Sequence, residues 1–225
     1  MARTIVNGFN DREEGGRALA ARLADYKDRA DTVVLALPRG GVPVGFEVSK
    51  ALNLPLDVLL VRKLGVPGQE ELAFGAISSG DITVFNESIV NALKIPDSMI
   101  SKVIEKEKAE LKRRENIYRP NRSAYDLGDR TVIIVDDGLA TGATMRAAVA
   151  AVRSLGPRQI VVAAPVASKH NCQQIGEKTD DLCVCVMTPE PFYGVGKWYR
   201  DFGQTSDEEV CRLLEESENL LAKVV

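Results

Sequence analysis

The stretch Val132-Ile133-Ile134-Val135-Asp136-Asp137-Gly138-Leu139-Ala140-Thr141-Gly142-Ala143-Thr144 decides how this chain is read. An apolar run with strand character ends in two adjacent carboxylates, at the end of the strand where open α/β sheets bind ligands. A turn of small residues carrying two threonines follows, and Met145 to Val152 continues as a helix. Glycines let the backbone approach an anion, and the helix start offers unpaired N–H groups and a positive dipole end. Two carboxylates beside such a cradle suit a phosphorylated sugar. The acids take hydroxyls, a metal or developing positive charge, and the turn takes the phosphate. A P-loop is excluded because Ala143, not lysine, follows Gly142, and no G-x-G-x-x-G dinucleotide turn is present.

Two further segments fit the same end of a sheet. Pro38-Arg39-Gly40-Gly41 follows the strand-like Thr32 to Leu37 and precedes a helix read from Val44 to Leu52. Its small residues would bring main-chain N–H groups against an anion and Arg39 would add a charge, although Gly-Gly also suits a plain tight turn. Arg62-Lys63 closes a second strand read from Leu56 to Val61, so that both cations would meet one anion. From Gly65 to Asp81 the chain reads as irregular and glycine-bearing, with a short apolar piece at Leu72 to Ile77. Glu70 and Glu71 in that stretch are candidates for a general base, against a plain reading as solvated acids.

The remaining pattern alternates strands and helices. Asp11 and Glu14 are spaced as a capping box ahead of Leu19, Leu23 and Tyr26 on one helical face. A long polar helix is expected from Asp97 to about Tyr118, with Pro96 at its start. Its mixed Glu and Lys residues suit a solvated face, with a dimer contact as the sharper alternative. Strands are expected at Gln159 to Ala164 and Leu182 to Met187, and a last helix from about Asp207 to Leu221. The alternation implies βαβ units: an α/β fold, its mostly parallel sheet covered by helices on both faces.

Composition bounds the function. A chain of 225 residues suits one α/β domain with additions, expected to span 1–225. Its net charge of −3 argues against a general nucleic-acid or membrane-surface role. No apolar run is long enough to cross a bilayer and no signal-peptide pattern opens the chain, so a cytoplasmic location is expected. Cys183 and Cys185 alternate onto one face of a strand, whereas Cys172 and Cys211 lie apart in sequence. With His170 as the single histidine, zinc is poorly supported and reduced thiols are the expectation.

The Asp136-to-Thr144 motif resembles the phosphoribosyl-diphosphate (PRPP) motif of type I phosphoribosyltransferases. The Arg39 turn and Arg62-Lys63 are similar to that family's pyrophosphate-binding segments. Leu37 to Val44, Glu71 to Ala76 and Thr188 to Tyr193 resemble a particular bacterial branch of it. The resemblance implies the type I fold, with a flexible loop at about 64–81 and a hood-like aromatic segment at about 188–205. It implies a Mg²⁺-dependent transfer of 5-phosphoribosyl from PRPP to a nitrogenous base, with pyrophosphate release, in nucleotide metabolism. Asp136 and Asp137 would be catalytic, accepting hydrogen bonds from the ribose hydroxyls and lending at most one or two carboxylates to Mg²⁺. Gly138, Leu139, Ala140, Thr141, Gly142, Ala143 and Thr144 would hold the 5′-phosphate. Arg39, Gly40, Gly41, Arg62 and Lys63 would hold pyrophosphate.

The 6-oxopurine enzymes of the family carry an aspartate where this chain has Ala140, which disfavours hypoxanthine and guanine as acceptors. Phe192 and Trp198 in the hood-like segment would either stack on a base or pin a proline-rich loop. A homodimer is expected from the family, with PRPP and an unidentified base as the small-molecule partners. Two other readings share the fold: a PRPP- or nucleotide-sensing regulator, which could bind RNA, and a ribose-phosphate diphosphokinase. The latter is disfavoured by length.

Overall fold

The structure is a computed structural model that describes residues 8–80, 82–120, 125–178 and 183–222. In chain order the elements are α1 (Arg12–Arg22), β1 (Thr32–Ala36), α2 (Gly41–Leu52), β2 (Leu56–Val58), β3 (Val61–Val66), β4 (Gln69–Ser78) and β5 (Ile82–Phe85). They continue as α3 (Glu87–Leu93), α4 (Asp97–Tyr118), β6 (Thr131–Val135), α5 (Ala143–Arg153), β7 (Gln159–Val166), α6 (Lys169–Lys178), β8 (Cys183–Met187) and α7 (Asp207–Ala222). The main sheet is parallel throughout, in the order β2-β1-β6-β7-β8. A parallel sheet buries both faces, and alternate residues of each strand divide between two cores. Val34, Ala36, Ile133, Val135, Val161 and Ala163 pack with α1, α2 and α7. Val33, Leu35, Val132, Ile134, Ile160 and Val162 pack with α5 and with Ile175 of α6.

The strand order positions the site. From β1 the chain moves to β2 on one side, whereas from β6 it moves through β7 to β8 on the other. The order therefore reverses between neighbours β1 and β6, and a crevice opens at their carboxyl ends. The Pro38-to-Gly41 turn leaves β1 there, and Asp136-Asp137 leaves β6 beside it.

Three sequence readings differ from the structure. Residues 61–66 and 69–78 form an antiparallel pair with β5, not an irregular segment. Gly65 sits at a break in the β3–β4 register, where a bulge interrupts the alternation that would have marked a strand. Arg62 and Lys63 therefore lie inside β3, after β2 has ended at Val58. Helix α2 begins at Gly41, three residues before the start at Val44 read from sequence. At the start of α1 the capping side chain is as expected: Asp11 Oδ1 accepts from the Glu14 N–H at 2.7 Å. The return bond from Glu14 Oε2 goes to the Asn10 N–H, one residue before the cap. No helix among the described residues is long and apolar enough to cross a membrane.

Candidate functional site

Asp136 and Asp137 emerge from the fully buried β6 and are held differently. Asp136 Oδ1 accepts from the backbone N–H of Asp137 at 2.8 Å. Asp137 Oδ2 accepts from Arg12 Nε at 2.9 Å, a pair with side chains only 13% and 15% exposed. The Tyr199 hydroxyl donates to the carbonyl of Asp137 at 2.7 Å. Burial, and then the negative charge of Asp137, raise the Asp136 carboxyl well above the usual range. Burial raises Asp137 as well, and the charge and hydrogen bond of Arg12 counter it. With Arg12 directed to Asp137, the pair has a standing preference for an additional positive charge.

Ionising Asp136 therefore costs the ligand-free fold stability. Below the ordinary carboxyl value of 3.8 the group is protonated both folded and unfolded and the cost vanishes. As pH rises through the elevated folded value, the wild type loses stability. Asp136→Asn keeps the Oδ1 acceptor and removes the charge. It is expected to raise the melting temperature of ligand-free protein by a few degrees at pH 8 and to leave it nearly unchanged at pH 3. Melting curves of the two proteins across pH measure this, and equal midpoints at pH 8 would contradict the burial argument.

The turn after β1 lies directly on this pair. A Cβ on Gly40 would sit 2.2 Å from Asp137 Oδ2, and one on Gly41 would sit 2.8 Å from the Val135 carbonyl and 3.2 Å from Asp136 Oδ1. Gly40 is thus required by the close approach of the Asp137 carboxylate and Gly41 by the backbone at Val135 and Asp136, whatever else the turn binds. The N–H of Gly41 donates to Leu37 O at 3.0 Å within the turn. The Pro38–Arg39 peptide is cis. Arg39 lies 3.9 Å from Asp207 Oδ1 at the start of α7.

The turn after the carboxylates is fastened at two points. The Leu139 N–H donates to Val166 O at 2.8 Å, and the Asn171 side-chain amide of α6 donates to the Ala140 carbonyl. Gly142 adopts a left-handed conformation (φ +68°) ahead of α5, a backbone glycine tolerates without strain. Gly142 at the N-cap has no side chain to offer, and Thr141 Oγ1 accepts from the Ala143 N–H at 3.4 Å, so the next N–H groups of the first turn are left for an anion, flanked by the exposed Thr141 and Thr144. Arg146, one turn into α5, donates from Nη1 to Thr141 O at 3.0 Å.

Arg62 lines a small cavity with Leu37, Pro38, Arg114 and Thr144, so β3, the β1 turn and the α5 start do converge. In the ligand-free chain Arg62 Nε donates to Glu107 Oε2 at 2.6 Å. Lys63, its neighbour along β3, projects to the opposite face of that strand, so the two cations do not approach from one side. The side chains of Glu70 and Glu71 lie outside the described residues.

The segment after β8 covers the turn from the other side. A Cβ on Gly138 would sit 2.5 Å from Val195 Cγ1. Tyr199 stacks on Phe202 at 5.2 Å and meets Phe9 at 5.7 Å, and the Arg12 guanidinium lies 4.0 Å over the Phe202 ring. Trp198 and Phe192 pack into the same cluster. These rings fasten the segment to the body, while Tyr193 is 74% exposed. Arg12, Asn171, Arg146 and Tyr199 were not identified from sequence. Arg12 reaches Asp137 across 125 positions, and nothing local distinguishes it from other charged residues of α1.

Comparison with known proteins agrees with this geometry. Residues 9–188 match the family described as the phosphoribosyl transferase domain. A Mycobacterium tuberculosis protein with the provisional name phosphoribosyl transferase is 46% identical over 207 residues, covering 92% of this chain and 46% of that protein. The chain thus spans under half the length of that relative. The structure of TT1426 from Thermus thermophilus is 38% identical and superposes with a TM-score of 0.84, covering 93% of this chain and 98% of that one. The bifunctional protein PyrR of Deinococcus radiodurans is 28% identical over 142 residues, covering 60% of this chain and 76% of its own. With a family match across most of the chain and a fold shared end to end with TT1426, this chain belongs to the phosphoribosyl transferase family.

Proposed function

We propose that this chain transfers the 5-phosphoribosyl group of PRPP to a nitrogen nucleophile, releasing pyrophosphate. The observation that carries the reading is the buried Asp136-Asp137 pair, its carboxyls raised in spite of Arg12, standing between the start of α5 and a turn that touches it. Departure of pyrophosphate from C1 of the ribose leaves a cationic, oxocarbenium-like carbon. Carboxylates already desolvated and already oriented favour that charge more than water does. They also accept from the ribose hydroxyls. Backbone donors of the α5 start, with the Thr141 and Thr144 hydroxyls, hold the 5′-phosphate. Arg39 and Arg62 exchange Asp207 and Glu107 for the pyrophosphate, while Lys63 faces away from Arg62 on β3 and is left out of this set.

Mg²⁺ fits this donor set. Hard carboxylate oxygens that the single Arg12 pairing leaves under-compensated suit an ion that takes one or two carboxylates and completes its shell with phosphate oxygens and water. Asp136 and Asp137 would hold it, and its contribution is neutralisation of the diphosphate.

Arg12 sets the working pH of Asp137. Arg12→Met removes the charge that counters burial, so Asp137 ionises at a higher pH than in the wild type. The acid limb of the kcat/KM profile for PRPP is expected to move to higher pH, with little change on the alkaline side. An unmoved acid limb would remove Arg12 from this role.

Pyrophosphate release from PRPP, measured with and without Mg²⁺ across nucleobases and small heterocyclic amines, tests the reaction. Release with one acceptor identifies the substrate. Hypoxanthine and guanine are expected to be poor acceptors, because Ala140 offers no carboxylate to them. No release with any acceptor, despite PRPP binding, would replace transfer with sensing.

A further inference from the structure

We propose that Cys172, Cys183 and Cys185 form a binding site for one thiophilic metal ion, separate from the carboxylate site. The argument rests on convergence from two elements. Cys183 and Cys185 are alternate residues of β8, so both side chains point to one face of the sheet. α6 packs on that face and brings Cys172 to them. The three Sγ atoms are 2.9, 3.1 and 3.8 Å apart, and all three thiols are free and half-buried. Among the described residues no other three His, Cys, Asp or Glu side chains converge in this way.

The spacing suits a metal with little rearrangement. Zinc–sulfur bonds of about 2.3 Å in tetrahedral array separate sulfurs by about 3.8 Å. Cys183 and Cys185 are already 3.8 Å apart, and Cys172 would retreat from each by less than about 1 Å. A disulfide uses this geometry less well. Cys172 would have to choose one partner and strand the other, and alternate strand residues stand near the upper limit of disulfide reach at about 6.6 Å. An all-sulfur donor set selects zinc or copper(I) over magnesium or calcium. Three protein ligands leave a fourth position to solvent. Each ligating thiol gives its proton to water as the metal binds, so affinity falls as pH falls.

The site would brace α6 against β8. Asn171, next to Cys172, holds the Ala140 carbonyl, and Met187 at the end of β8 accepts from the Ala167 N–H at 3.0 Å. Metal loading therefore tightens the elements that support the Asp136-to-Thr144 turn, without touching a residue of that turn.

The test uses the full chain, reduced, stripped with chelator and handled without oxygen. Titration with Co²⁺ is expected to develop sulfur-to-cobalt charge-transfer absorption that saturates at one ion per chain, and Zn²⁺ should displace it. Zinc at a hundredfold excess over Kd should raise the melting temperature by roughly 5–10 °C. Cys172→Ser should abolish the absorption. Cys211→Ser should leave it unchanged, since its thiol donates to the Ile117 carbonyl elsewhere. Wild-type protein that develops no charge-transfer band overturns the proposal whatever the variants do. So does a band that survives Cys172→Ser or is lost in Cys211→Ser.

Discussion

Asp136→Asn combined with Asp137→Asn is expected to lower pyrophosphate release from PRPP by roughly 10²–10³-fold while far-ultraviolet circular dichroism stays that of the wild type. A single group aimed at charge that develops in the transition state is worth roughly 10²–10³ in rate. The two carboxylates act on the same ribose, so their losses do not multiply and the double variant is no worse than a small factor beyond the more damaging single one. The fold should survive because burial disfavours both charges, so removing them relieves the ligand-free protein. The loss should appear in kcat more than in KM, because the carboxylates serve a charge absent from the ground state. Steady-state kinetics of the double variant measure this, and undiminished turnover would mean that the reaction centre lies elsewhere.

Gly40→Ala tests the junction of the two turns. Its added methyl would stand 2.2 Å from Asp137 Oδ2, 2.9 Å from Asp137 Cγ and 3.3 Å from Arg12 Nε. The carboxylate must move, yet Arg12 holds it in place and the Tyr199 hydroxyl holds the carbonyl of the same residue. Displacement by about 1 Å at a reacting centre costs on the order of 10²-fold. The expected result is a fall of that size in kcat/KM for PRPP, with secondary structure retained. Gly128→Ala is the control: its methyl would meet only Asp126 Oδ1, at 3.4 Å, and turnover should be unchanged. A Gly40→Ala enzyme of wild-type activity would show that the contact between the turns has no part in the reaction.

How much of this was legible in the sequence depended on how local each signal is. The helix Asp97–Tyr118 agrees with its sequence bounds, because Pro96 opens it and the polar period is unbroken. The strand Thr131–Val135 and the acids after it were legible for the same reason: apolar run, carboxylates and turn are contiguous. The β3–β4–β5 sheet was not, since Gly65, Gly68 and Gly75 punctuate it and a bulge breaks its alternation. Helix α6 was obscured by its composition, with Cys172 and Ile175 its inward contacts to the core.

The site divides along the same line. Gly40 and Gly41 were recognisable as a tight turn, but the reason for two glycines is the proximity of Asp136 and Asp137. That proximity follows from β1 and β6 being sheet neighbours, 99 residues apart in register (Val33 beside Val132). No periodicity records such a pairing. Arg12, Tyr199 and Asn171 share the limitation, because each acts on the site from an element distant in sequence. The three cysteines are a middle case. Cys183 and Cys185 were placed on one face from their spacing, whereas Cys172 joins them only once α6 is recognised as a helix packed on β8.

Equilibrium binding of PRPP by titration calorimetry, in the presence of Mg²⁺ and without acceptor, tests the central claim most directly. Wild-type protein should bind one PRPP per chain saturably, with binding weakened when Mg²⁺ is withheld and weakened strongly by Gly40→Ala. Absence of saturable binding, or binding indifferent to Gly40→Ala, would contradict the assignment of this crevice as the PRPP site.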